Sequence, residues 1–164
     1  MDRVEKFLCD GMLGAVARWL RLMGYDAAYA GSTATDTEVL ERAEREGRFL
    51  ATRDLELVQR ALRAGIGVLL LKEASKEEQV LLLLMHAGAT LDPARFFTRC
   101  TECGELLAKV SKDEVLDKIP PAVAEAHSEF WRCPGCAHVY WHGSHVTEIE
   151  KKILDMARRI AATT

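Results

Sequence analysis

Residues 7–21, Phe7-Leu8-Cys9-Asp10-Gly11-Met12-Leu13-Gly14-Ala15-Val16-Ala17-Arg18-Trp19-Leu20-Arg21, decide the fold class. A short apolar run ends on one acid, Asp10, and a glycine-flanked turn follows. Next comes a stretch with Leu13, Val16, Ala17 and Leu20 at i, i+3, i+4 and i+7, the spacing of a helix stripe that packs on a sheet. A strand that gives way to a helix through a carboxylate has the form of a βα junction, where open α/β sheets bind ligands.

The same unit recurs downstream. Gly24 stops the first helix, and 25–30 reads as a short strand. Thr35-Asp36-Thr37-Glu38 fits a capping box and opens a helix that runs to about Glu46. Phe49-Leu50-Ala51-Thr52 is a third strand ending at Arg53-Asp54, followed by a helix over about 55–64. Gly67-Val68-Leu69-Leu70-Leu71 is apolar throughout, as expected of a strand buried on both faces. Ser75-Lys76-Glu77-Glu78 caps a helix that ends near Gly88. Strand and helix alternate four times with long crossovers, which predicts a three-layer α/β unit with a mostly parallel central sheet over residues 1–95.

The composition changes after Leu91-Asp92-Pro93. Four of the five cysteines form two Cys-x-x-Cys pairs, Cys100/Cys103 and Cys133/Cys136, with Gly104 and Gly135 placed for tight turns. Four thiolates at this spacing suit a tetrahedral zinc ion that closes its own coordination shell and is therefore structural. The segment over 96–146 reads as a zinc ribbon that includes a strand at Val139-Tyr140-Trp141. Thr147-Glu148-Ile149-Glu150 is expected to cap a last helix over 147–164. Its Ile149, Ile153, Met156 and Ile160 share one face, suited to packing in cis or to a homodimer contact.

Apolar residues make up 49% of the chain, charged residues 29%, and the net charge is −3. These values fit an ordinary globular protein and exclude a polyanion-coating one, though not a local basic groove. The longest apolar run, residues 80–85, cannot span a bilayer, and the charged N-terminus lacks a signal-peptide core. A cytoplasmic location and no membrane partner are the expectation.

Asp10 and Asp54 follow strands, and Asp36 opens the helix after strand two. In a parallel sheet all three lie at one edge. Each alone is an ordinary helix cap. Together they form an oxygen donor set for Mg(II) or Mn(II), ions that hold a phosphate ester and activate water. Arg18 and Arg21 flank Trp19 on the helix beside Asp10, and Arg53 precedes Asp54, as residues that contact a phosphate backbone do. Taken singly, such arginines also fit a solvated helix face. A receiver-type phosphoacceptor is disfavoured, because Asp10 lacks a paired acid and Lys72 comes one strand too early. A haloacid-dehalogenase-type phosphatase is disfavoured because Met12 replaces its second aspartate.

Lys6-Phe7-Leu8-Cys9-Asp10-Gly11-Met12-Leu13-Gly14 and Ala17-Arg18-Trp19-Leu20-Arg21-Leu22-Met23-Gly24-Tyr25-Asp26 resemble the PIN-like ribonuclease domain at the C-terminus of the Mut-seven exonuclease. Leu50-Ala51-Thr52-Arg53-Asp54 matches that family's third strand ending. Phe130-Trp131-Arg132-Cys133-Pro134-Gly135-Cys136, with Val139-Tyr140-Trp141 and Gly143-Ser144-His145, is similar to its zinc ribbon. The resemblance covers about residues 4–146. It implies a PIN-like fold, metal-dependent hydrolysis of single-stranded or structured RNA, and structural Zn(II). It places the catalytic acids at Asp10, Asp36 and Asp54, and singles out His145 as a phosphate contact. The fourth acid usual in PIN nucleases has no obvious counterpart. That gap keeps a non-catalytic RNA- or protein-binding module as the alternative.

Overall fold

The computed structural model describes residues 3–72 and 75–163. Met1 and Asp2, read above as part of the charged N-terminus, and Thr164, the end of the expected last helix, lie outside the described residues.

The chain opens with β1 (Lys6–Cys9), α1 (Gly14–Leu22), β2 (Asp26–Tyr29) and α2 (Asp36–Glu46). β3 (Phe49–Thr52), α3 (Leu55–Arg63), β4 (Val68–Leu70) and α4 (Lys76–His86) complete an α/β unit. Its four strands are all parallel, in the order β2-β1-β3-β4.

Alternation along β1 sorts the core into two layers, because successive side chains leave a strand on opposite faces. Phe7 and Cys9 face α1 and α4, joining Val16, Leu20, Val80 and Leu84. Leu8 faces α2 and α3, joining Val39, Ala43, Leu57 and Ala61. The helix starts follow their sequence signals. Thr35 and Glu38 form a reciprocal capping box, and Ser75 accepts the Glu78 amide.

After a single 3-10 turn at Pro93–Arg95 comes the cysteine-bearing module, with β5 (Ala108–Val110), α5 (Lys112–Val115), α6 (Pro121–Ala126), β6 (Phe130–Arg132) and β7 (Val139–Tyr140). Its strands pair antiparallel around a small core of Val115, Ile119 and Phe130. The polar segment between the cysteine pairs therefore holds β5 and two short helices. The second of these opens at Pro121, whose missing N–H costs nothing at a helix start.

The last helix, α7 (Ser144–Thr163), begins three residues before the expected cap, so Thr147 lies inside it. The predicted apolar stripe packs in cis. Ile153 and Met156 are buried in the same core layer as α1 and α4, flanked by Ile149 and Ile160. Among the described residues, no helix is long and apolar enough to cross a membrane.

Candidate functional site at the carboxyl edge of the sheet and the four-cysteine cluster

The strand order makes β1 and β3 neighbours while their following helices leave to opposite faces. That divergence makes the carboxyl ends of β1 and β3 the switch point, the place at which doubly wound sheets bind ligands. Asp10 follows β1 there, and Asp54 follows β3.

One hydroxyl joins them. Thr52, fully buried at the end of β3, donates its hydroxyl hydrogen to Asp10 Oδ2 and accepts the Asp54 backbone N–H at 3.0 Å. Asp10 is only 7% exposed, and its Oδ1 accepts the Met12 amide at 3.1 Å. Asp54 is the N-cap of α3, its Oδ1 accepting the amides of Glu56 and Leu57 at 2.8 and 3.3 Å. Thr52 is the residue whose role sequence reasoning missed. Its only signal was a hydroxyl two places before Asp54 at a strand end.

The β1–α1 turn lies flush on the β2–α2 loop. A Cβ at Gly11 would sit 2.7 Å from the Gly31 carbonyl oxygen, so only glycine lets the two loops meet. Tyr29 seals the join by donating its hydroxyl to the Gly11 carbonyl at 2.8 Å.

Asp36 stands apart at the first residue of α2. Its Oδ2 pairs with Arg60 of α3 at 3.4 Å, and the same guanidinium donates to the Thr37 hydroxyl at 3.0 Å. Asp10, Asp36 and Asp54 do not bring their oxygens within 4.8 Å of one another. Among the described residues, the cysteine cluster is the set of three or more metal-type ligands that does so.

The predicted basic residues separate into three environments. Arg53 is exposed beside Asp54 and has no ion-pair partner among the described residues. Arg18 is exposed on α1, paired at 3.2 Å with Glu102, and borders a cleft that His145 of α7 also lines. Arg21 is 5% exposed and bonded to backbone carbonyls. Its Nε donates to the Ala27 carbonyl at 2.8 Å, and its Nη1 to those of Thr101 and Glu102 at 2.8 and 3.1 Å. Burial lowers its pKa from the usual arginine value, nearby thiols and Glu102 opposing. The bonds join β2 to the first cysteine loop.

The four cysteine sulfurs all lie within 4.8 Å of one another, with Cys100 and Cys136 at 3.5 Å and Cys103 and Cys133 at 3.3 Å. Tetrahedral zinc with Zn–S near 2.3 Å implies sulfur separations of about 3.8 Å, so the donor set fits Zn(II). The two loops are built alike. Gly104 follows the first pair at φ 86° and Ala137 the second at φ 65°. Gly135, expected to relax the second turn, has no positive φ, and a Cβ there would press to 3.0 Å from the Glu105 side chain while only touching the sulfurs of Cys103 and Cys133. Burial opposes ionisation of Cys100, but the Tyr140 hydroxyl and the amides of Cys103 and Glu102 outweigh it, lowering its pKa to about 7. The Tyr140 oxygen lies 3.1 Å from that sulfur and accepts the Thr101 amide, a supporting contact that the sequence did not reveal.

A parallel sheet with acids at its switch point and a four-thiolate ribbon is the arrangement implied by the resemblance. The profile of the Mut7-C RNAse domain matches residues 5–153. This chain belongs to the Mut7-C RNAse domain family. A human relative, "Exonuclease mut-7 homolog", is 31% identical over 114 residues. The alignment takes in 68% of this chain and 13% of the human protein, so this Mut7-C chain corresponds to a small part of that relative.

Proposed function

We propose that the chain is a ribonuclease that hydrolyses RNA phosphodiester bonds at the Asp10–Asp54 site. The observation that supports this best is the Thr52 hydroxyl, which ties the two acids together at the sheet's switch point. Family membership supports the substrate class.

Asp10 and Asp54 supply hard oxygens of the kind that Mg(II) and Mn(II) prefer. Such an ion, when bound, would neutralise phosphate charge and make water more acidic. Thr52 fixes the Asp10 carboxylate in one orientation, and Met12 N–H holds its other oxygen. Asp36 would contribute as a third acid once freed from Arg60. Arg53 is exposed beside Asp54 and suited to hold the scissile phosphate, while Arg18 meets the strand farther along α1. In the reaction a water oxygen adds to phosphorus and the bond to the leaving ribose oxygen breaks, the carboxylates taking the proton from the water while the leaving oxygen takes up a proton from solvent. Arg21 belongs to the architecture. Zn(II) on Cys100, Cys103, Cys133 and Cys136 holds the ribbon's two loops together.

The pairing of Asp36 with Arg60 and the spread of the three acids favour a second reading, a binding module that has kept the fold without cleavage. Cleavage of single-stranded RNA by the zinc-loaded protein with added Mg(II) or Mn(II) separates the two. Loss of cleavage in Asp10→Asn supports the enzyme. Undiminished RNA binding by the wild type with no cleavage under either ion selects the binding module.

A further inference from the structure

A cleft of about 240 Å³ lies where α1, the ribbon and the start of α7 meet. Arg18 comes from α1, Trp131, Trp141 and His142 from the ribbon, and His145 from α7, so no single module builds it. Among the described residues no carboxylate is part of its lining, although the whole chain is net acidic. Six of the thirteen residues that line it carry an aromatic ring. His142 stacks on Trp131 with centroids 4.6 Å apart and planes 18° apart, and the Phe97 ring meets His142 edge-on at 6.0 Å. Phe97 itself adopts φ 59°, a left-handed conformation that bulky residues rarely take. Its amide donates to the Leu22 carbonyl of α1 at 2.8 Å, fixing it there. Strained residues of this kind cluster at ligand clamps.

The neighbouring cavity along β2, about 440 Å³, is a useful contrast. It holds Arg21, Arg42, Arg48 and Arg99, but each already donates to a carbonyl or carboxylate, and Asp26, Glu102 and Glu105 share the wall. The aromatic cleft differs. It shares the engaged Arg99 but adds the exposed Arg18, whose one ion-pair partner among the described residues is the half-exposed Glu102, a surface pair that phosphate can displace. Aromatic rings beside a cation held only by a displaceable surface pair match a nucleobase and its phosphate, the combination by which proteins hold single strands.

We infer that this cleft binds one unpaired base of a single-stranded RNA, with Arg18 and His145 contacting its phosphate. The inference rests on RNA being the substrate class proposed above. It gives the ribbon and α7 a role in holding the strand while the switch-point acids act on it. A cleft this small takes a base and not a helix, so duplex RNA is excluded by shape.

The test uses the full zinc-loaded chain and a fluorescein-labelled eight-nucleotide oligouridylate. Fluorescence anisotropy without added Mg(II) or Mn(II) reads binding apart from cleavage. The exposed pair Arg18→Ala/His145→Ala, and separately Trp131→Ala, are each expected to weaken binding by about tenfold, the scale of a lost stacking or phosphate contact. Zinc content and melting temperature report whether the ribbon survives in Trp131→Ala. A hairpin duplex should bind weakly and be indifferent to Trp131→Ala. The inference is overturned if the double variant binds the oligonucleotide as the wild type does, or if duplex binding depends equally on Trp131. Absence of wild-type binding overturns it as well and points to a protein occupant. Cleavage keeps the two proposals distinct. Asp10-dependent cleavage with unaltered binding in the cleft variants removes the inference alone, whereas cleft-dependent binding with no cleavage removes the enzyme alone.

Discussion

The hydroxyl of Thr52 donates to the carboxylate of Asp10 across the β1–β3 pair and accepts the amide of Asp54 with its own oxygen. Thr52→Val keeps the shape and removes both contacts, leaving a nearly buried carboxylate and an amide short of a partner. We expect a stability loss of about 1–3 kcal/mol and a fall in RNA cleavage. Thr52→Ser should restore both. Thermal denaturation with a cleavage assay on the same preparations checks this, and equal behaviour of the Val and Ser variants would refute it.

Arg21 of α1 makes a second tie between distant segments. Three backbone carbonyls, from β2 and from the first cysteine loop, converge on one buried guanidinium. Arg21→Met removes the charge and the donors together, and those carbonyls lose their partners. The expected cost is about 3 kcal/mol, since hydrogen bonds to charged groups exceed ordinary ones. Urea denaturation of the zinc-loaded protein measures it. Limited proteolysis should also show earlier cutting between α4 and β5, because the ribbon has lost its anchor to the sheet.

That role for Arg21 marks where sequence reading stopped. Arg18 and Arg21 look alike in sequence, one helical turn apart beside Trp19. Their difference is set by what lies 80 residues later, where Thr101 and Glu102 present carbonyls to Arg21. By contrast, the α/β unit was legible because its signals are local: Thr35 and Glu38 cap α2, Asp54 caps α3, and the stripe Leu13, Val16, Ala17, Leu20 is buried as spaced. The cysteine cluster was legible from spacing alone. The start of α7 was misplaced because Thr147 offers a cap pattern inside a helix that already begins at Ser144. Thr52 and Tyr140 were silent because a hydroxyl acquires its role only from a partner on another strand or loop.

Zinc removal should separate the two sheets in stability. The three-stranded ribbon has a core of only three fully or nearly buried apolar residues, whereas the four-stranded sheet is covered on both faces. Structural zinc contributes on the order of 10–16 kcal/mol of apparent folding free energy in small modules. Cys133→Ser, or chelation, is therefore expected to expose residues 97–143 to protease while the helical circular dichroism of the α/β unit largely persists. Elemental analysis should give one zinc per chain in the wild type. Loss of the whole α/β signal on chelation would show that the ribbon is not a separately stapled unit.

Acid should weaken the amino-end edge of the sheet through Glu46. The hydrogen bond from Arg48 lowers the Glu46 pKa below its ordinary value near 4.5, burial opposes this, and Arg42 adds a further contact at 3.1 Å. Arg48 also pairs with Asp26 at 2.8 Å and donates to its carbonyl, so the cluster joins the end of α2 to the β2 strand. A carboxyl whose folded pKa lies below its unfolded one stabilises the protein at pH above the unfolded value. That stabilisation is lost as pH falls through the folded value. Glu46→Gln should therefore melt about 1–3 °C below the wild type at pH 7, as expected of a partly exposed pair. The gap should close as pH falls below the ordinary carboxyl value and through the lower folded-state value, where the wild-type carboxyl takes up its proton. Melting curves of both proteins from neutral into acid pH decide the matter, and a gap that stays constant with falling pH would mean that Glu46 acts through packing and not through its charge.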